Sequence, residues 1–244
     1  MTLIVSEVNH DPRDKQNCRI LCAADRRVSV DGIPTAARRK LFKHDRLNAT
    51  ISYFGLAETS AKMSFEYLLG DFIGSDSSST IEVMASTLAK RLDSIVPKRL
   101  LRKYPSGFHV CGFTDRGIPQ FWFIRNIRGL NGLYYADFED SYTVSEELSQ
   151  VHARQFYREA SKDYSVPFRA WFANGDLRSH GPAWEKFDAF SNEMDLRGLA
   201  NQPLSASDFE KRLRWKMEAI GLYYDIVADE VIVGGGTDTY ILTI

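Results

Sequence analysis

Leu21-Cys22-Ala23-Ala24-Asp25-Arg26-Arg27 is an apolar strand that runs into an aspartate and two arginines. An aspartate in that place caps a turn as readily as it does chemistry, so its meaning depends on its surroundings. Upstream, Thr2 to Val8 reads as a strand. It forms a hairpin with Arg19 to Ala24 across the polar connection His10-Asp11-Pro12-Arg13-Asp14. Downstream, Lys40 to Phe42 and Ala49 to Phe54 read as two more strands. Four short strands therefore precede any helix.

Two helices follow. Ser60 to Gly70 carries Met63, Tyr67 and Leu68 at helical spacing. Thr80 to Lys103 has the stripe Ile81, Met84, Leu88, Leu92, Ile95 and Val96, with Pro97 placed to kink or end it. Strands return at Phe108 to Phe113 and Gln120 to Ile124, around the turn Asp115-Arg116-Gly117, and at Leu133 to Asp137. Thr143 with Glu146 predicts a capping box that opens a helix to about Ser161. Ser207 with Glu210 predicts another, striped by Phe209, Leu213, Met217 and Ile220. Residues 162–204 read as an irregular segment rich in aromatics. Glu230 to Val233 and Thr239 to Thr243 are the last predicted strands, around Gly234-Gly235-Gly236. Grouped strands and grouped helices predict antiparallel sheets with helices on their outer faces, not a parallel sheet wound one for one with helices.

The 244 residues suit one domain. Lys and Arg number 31 against 32 Asp and Glu, so net charge favours neither nucleic acid nor an anionic membrane as partner. No apolar stretch approaches the length of a membrane span, and Met1-Thr2-Leu3-Ile4-Val5 lacks the basic start of a signal peptide. Cys18, Cys22 and Cys111 have no disulfide-framework spacing and read as buried free thiols. These features predict the cytoplasm. His10, His44, His109, His152 and His180 are scattered without metal-ligand spacing, so neither a metal nor another cofactor is expected.

Several stretches, in chain order, carry a resemblance. Thr2-Leu3-Ile4-Val5, the opening Leu21 to Arg27 run, Lys40-Leu41-Phe42 and Gly55-Leu56-Ala57-Glu58 are the first four. The hairpin Gly112-Phe113-Thr114-Asp115-Arg116-Gly117-Ile118-Pro119 and the final Gly234-Gly235 strand complete the set. Together they resemble the proteasome β-type subunits, threonine peptidases of the N-terminal-nucleophile (Ntn) hydrolase superfamily. The resemblance implies a four-layer αββα sandwich, two antiparallel sheets flanked by helices, over a single domain at 1–244 with an insertion at about 162–204. It also implies a self-compartmentalising homo-oligomeric ring acting on polypeptide; the ring's ATPase partner, if it has one, is not specified. The helix from Thr80 to Lys103 and the aromatic segment are the expected contact surfaces between subunits.

By the same resemblance Thr2 is the nucleophile, Lys40 the cation beside it, Asp25 the partner of Lys40, and Gly55 the donor to the oxyanion. Arg27 braces the first loop. Val28 and Ser29 bind substrate through their backbone, and Tyr53 floors the first specificity pocket. The chemistry is consistent in itself. A threonine hydroxyl needs an adjacent base, and a free α-amine, with a pKa of about 7.7–8.0, supplies one once Met1 is removed. A neighbouring ammonium lowers the pKa of both groups.

Two places depart from the pattern. The family's Gly-Ser-Gly turn before the third helix, whose serine supports the amine, is sought at Tyr134 to Asp140 and is not there. At the last strand Glu230 stands for the family's aspartate, with Asp229 one residue away, and Val233 stands for its serine. These departures keep two other readings open: a catalytically silent scaffold subunit, and an amidase of the same fold acting on a non-peptide amide.

Overall fold

The computed structural model describes residues 2–30, 32–59, 63–149, 167–198 and 204–244. Alternation along the first two strands sets the architecture. β1 (Leu3–His10) and β2 (Arg19–Asp25) are antiparallel, with Ile4 opposite Ala24. Leu3, Val5, Leu21 and Ala23 belong to one apolar cluster and Ile4, Val8, Ile20, Cys22 and Ala24 to another. Side chains alternate sides along a strand, so this sheet is buried on both faces.

Next come the exposed hairpin β3 (Arg27–Val30) and β4 (Ile33–Ala37), then β5 (Leu41–His44) and β6 (Ala49–Gly55). Helices α1 (Phe65–Ser75), α2 (Ile81–Ile95) and the single turn α3 (Lys98–Leu101) follow. β7 (Ser106–Phe113), β8 (Pro119–Asn131) and β9 (Tyr134–Glu146) complete an antiparallel sheet of order β5-β6-β7-β8-β9. β10 (Phe168–Gly175), α4 (Leu177–Leu196), α5 (Ala206–Ile226) and β11 (Thr237–Thr243) end the order, and the second sheet runs β10-β1-β2-β11, again antiparallel. The fold is therefore mixed α/β on antiparallel sheets.

Three apolar clusters hold it together. Tyr53, Phe108, Val110 and Ile124 pack with Phe65, Leu68 and Phe72 of α1 and Met84, Leu88 and Leu92 of α2. Ile4, Ile20 and Cys22 meet Leu41, Phe54, Cys111 and Phe121 of the other sheet. Leu3, Val5 and Leu21 meet Trp184 of α4 and Leu213, Met217 and Ile220 of α5. Each fully buried Leu or Phe contributes about 1.5–3 kcal/mol. Cys18, Cys22 and Cys111 are buried free thiols.

Local structure departs from expectation where tertiary pairing or a better cap takes over. α1 starts at Phe65 because Ser64 Oγ accepts the Tyr67 N–H at 3.2 Å; residues 60–62 lie outside the described ones. α2 stops at Ile95, two residues before Pro97, which has no N–H to continue it. The capping box expected at Thr143 and Glu146 is instead strand: Thr143 lies opposite Arg125 and Glu146 opposite Trp122 in β9. The Glu146 carboxylate does cap, but it accepts the Leu148 and Ser149 N–H groups, both at 3.1 Å. The helix expected to about Ser161 falls mostly on residues 150–166, outside the described ones.

The segment read as irregular contains β10 and α4. β10 pairs along all of β1, from Leu3 opposite Gly175 to His10 opposite Phe168. Its aromatics are mainly internal among the described residues: Trp184 is fully buried, Phe172 stacks on Phe121 at 3.8 Å, and Phe190 stands well exposed. α5 opens two residues before the expected box, at Ser205 with Asp208. Glu230 to Val233 forms no strand; the Val231 N–H donates to Gly32 O at 3.1 Å.

Candidate functional site

Thr2 immediately precedes β1 and Asp25 ends β2, so the pairing of those strands sets the two residues side by side. Asp25 is 1% exposed and its carboxylate is fully used. Oδ1 accepts the Leu3 N–H at 2.8 Å and Lys40 Nζ at 3.3 Å. Oδ2 accepts the Arg27 N–H at 3.1 Å and the Gly234 N–H at 3.2 Å. One side chain thereby ties together the start of β1, the entry to the β3–β4 hairpin, the C-terminal glycine turn and a lysine.

Lys40, also 1% exposed, lies just before β5 and is registered by Tyr53, whose N–H donates to Lys40 O at 3.1 Å. Its ammonium donates to Thr2 Oγ1, to the Arg27 carbonyl and to Asp25. Burial pushes the Asp25 carboxyl up and the Lys40 ammonium down, each against the opposing pull of the other. A lysine so placed gives up a proton more readily than one in water, and its cation faces the Thr2 hydroxyl.

The cluster opens on a cavity of about 520 Å³ lined by Thr2, Lys40, Gly55, Tyr53, Val28, Ser29 and Arg27, with Glu58 and Tyr104 among its other walls. Seven residues singled out in the sequence thus share one recess, and Asp25 stands behind Lys40. Gly55 has φ 86°, and a Cβ there would lie 1.9 Å from Pro105 O, so only glycine fits the bend. Tyr53 is buried, with its hydroxyl donating to Arg39 O at 3.4 Å, and burial pushes that phenol up. Val28 and Ser29 lie at a bulge in the exposed hairpin. Arg27 braces from behind: Nη1 donates to Val233 O at 2.6 Å and Nη2 pairs with Asp225 at 2.7 Å.

Asp229 and Glu230 are not part of this cluster. Both are exposed, and the Glu230 carboxylate is taken by Arg178 Nη2 at 3.0 Å. The turn that meets Thr2 is likewise not at 134–140, which is strand, but at Gly175-Asp176, just before α4. The Asp176 N–H donates to Thr2 O at 2.8 Å. Gly175 has φ 117°, and a Cβ there would fall 1.6 Å from Thr2 O. Tyr135, from the stretch first searched, still reaches the turn: its hydroxyl accepts the Gly175 N–H at 2.8 Å and donates to Asn174 Oδ1 at 3.0 Å. The missed residues Gly175, Asp176 and Arg178 had one sequence signal, Asn174-Gly175-Asp176, a turn dipeptide followed by a helix-capping aspartate.

No protein-family model matches this chain, and no curated protein matches it. Among the described residues no group of three or more His, Cys, Asp or Glu is arranged to hold a metal ion, and no helix is long and apolar enough to cross a membrane.

Proposed function

We propose that this chain is a threonine-type Ntn peptidase subunit of a cytoplasmic, ring-forming, proteasome-like assembly, cleaving polypeptide through an acyl-enzyme on Thr2. The observation that carries the reading is the buried line from Asp25 through Lys40 to the Thr2 hydroxyl at the head of an open cavity. The three apolar clusters, helix against sheet, sheet against sheet and sheet against helix, support a four-layer αββα sandwich.

The chemistry needs Met1 removed, which turns the Thr2 nitrogen into an amine. That amine accepts the hydroxyl proton as Oγ1 bonds to the scissile carbonyl carbon. Lys40, cationic beside Oγ1, favours the developing alkoxide, and Gly55, which lines the same cavity, is the backbone donor to the oxyanion in this reading. Collapse breaks the C–N bond, and the leaving nitrogen takes the proton from the Thr2 ammonium. Water then attacks the ester, the amine takes its proton, and the C–Oγ1 bond breaks as the ammonium returns that proton to Oγ1, which releases the acid and restores the free hydroxyl. Val28 and Ser29 offer backbone for a substrate running beside the hairpin.

A silent scaffold is the second reading, favoured by one observation. The carboxylate sought at Glu230 is committed to Arg178, and Val233, at the position of the expected serine, is a buried apolar side chain. The deciding experiment uses Met1-free protein, verified by intact mass. It measures turnover of short fluorogenic peptides and labelling by an electrophile selective for N-terminal threonine. Peptidase function predicts both, with both lost in Thr2→Ala while the fold persists. A correctly processed wild type that does neither is a scaffold. Turnover of small amides but not of peptides assigns the amidase.

A further inference from the structure

The Thr2–Leu3 peptide unit is held at both ends. Its N–H donates to Asp25 and its carbonyl accepts from Asp176 N–H, each at 2.8 Å. With Met1 removed, Thr2 has no preceding peptide to hold it, so these two bonds, together with the Lys40 contact to Oγ1, set where its hydroxyl and nitrogen point. The Asp25 end is already part of the site. The Asp176 end depends on residues that the reaction itself does not use.

Asp176 is 1% exposed, and its carboxylate is gripped by Arg178, Nε to Oδ1 at 2.9 Å and Nη2 to Oδ2 at 3.1 Å, and by the Tyr224 hydroxyl. Burial alone would push that carboxyl up. The hydrogen bonds from Arg178 and Tyr224 outweigh it and hold the group below the usual carboxylate range. The same guanidinium reaches in the other direction to Glu230 Oε2 at 3.0 Å. Glu230 in turn lies against the tip of the β3–β4 hairpin: a Cβ on Gly32 would sit 3.2 Å from Glu230 Cγ, and Val231 N–H donates to Gly32 O. That hairpin supplies the Val28 and Ser29 wall of the cavity.

We propose that Arg178 is a positioning residue that sets the nucleophile and the substrate-facing hairpin in one register, through Asp176 on one side and Glu230 on the other. This rests on the peptidase reading above. Only a planar guanidinium makes the two-point contact with Asp176 and still reaches a second carboxylate; a lysine ammonium is a point donor. The two arms have separable effects. The Asp176 arm orients Thr2 and acts on kcat, and the Glu230 arm holds the hairpin and acts on KM.

The test compares wild type, Arg178→Ala, Arg178→Lys and Glu230→Ala, all Met1-free, by peptide kinetics and by amide hydrogen exchange. Arg178→Ala lowers kcat about tenfold, as expected for a nucleophile that loses orientation, and raises KM. Arg178→Lys falls between it and wild type. Glu230→Ala acts mainly on KM. Exchange at the Asp176 and Val231 amides speeds up in Arg178→Ala. If wild type turns over and Arg178→Ala keeps both constants within about twofold, the proposal is overturned and the peptidase reading stands. If wild type is inert, the peptidase reading fails and the positioning role falls with it, whatever the exchange at the two amides.

Discussion

Lys40 and Asp25 are almost entirely buried and 3.3 Å apart. Removing one member of such a pair leaves an uncompensated charge in the core. Lys40→Met therefore costs about 3–5 kcal/mol of stability, read by urea unfolding, and abolishes turnover because the cation beside Thr2 is gone. Adding Asp25→Asn to Lys40→Met recovers part of that loss, so the double mutant is more stable than the sum of the two single changes. The pH dependence has a definite sign. Burial already raises the Asp25 carboxyl in wild type, and without Lys40 it rises further. A carboxyl whose pKa is higher folded than unfolded takes up its proton more tightly in the folded state. The deficit of Lys40→Met relative to wild type thus shrinks as pH falls through that raised value and is full above it. A deficit that does not vary with pH would mean that the pair is not the source of the loss.

At the scale of elements, the ends of helices and strands place the site. α4 starts where the Gly175-Asp176 turn releases the chain from Thr2, and Asp176 is both the helix cap and the donor to the Thr2 carbonyl. The cap of α5 is a cleaner test because it lies away from the cavity. Ser205 Oγ accepts the Asp208 N–H at 3.3 Å while Asp208 accepts the Ser205 N–H at 3.0 Å. Hydrogen bonds from Ser205, side chain first and backbone second, lower the Asp208 carboxyl to about 2. Its contribution is present above the ordinary carboxylate pKa and is lost as pH falls through about 2. Ser205→Ala should lower Tm by about 2–4 °C at neutral pH. An NMR titration should show the Asp208 carboxyl moving up toward its ordinary range in that variant. An unmoved Asp208 would mean that the box does not form in solution.

For the whole molecule, the C-terminal end of α5 offers an exposed apolar surface. Leu222, Tyr223, Ile226 and Val227 are 58%, 59%, 72% and 60% exposed on consecutive turns at its C-terminal end. Apolar side chains grouped in this way mark contact surfaces more often than free ones. The proposed ring therefore predicts a concentration-independent oligomer by light scattering, broken to smaller species by Ile226→Asp with Tyr223→Asp. A wild type that stays monomeric over a wide concentration range removes the ring from the proposal. The aromatics of residues 168–190 are weaker candidates for that surface, since Trp184 and Phe172 are spent inside the fold.

The strands β1, β2, β5 and β6, the stripes of α2 and α5 and the antiparallel character were legible because each is a local periodicity of side chains; β3 and β4, an exposed hairpin with no buried face, were not. Asp25, Lys40 and Gly55 stood out only through the resemblance, on motifs where Asp25 and Gly55 end an apolar strand and Lys40 immediately precedes one. What local pattern could not decide was anything set by a partner far away. Thr143 and Glu146 look like a helix cap, yet β8 takes them into a strand. Residues 168–175 read as irregular until β1 supplies eight paired positions. Glu230 reads as a support for the amine until Arg178, 52 positions earlier, claims it. The grip of Asp176 on the Thr2 carbonyl joins residues 174 positions apart. Such contacts come from the order in which strands pair and helices cover them, and only the tertiary structure carries that information.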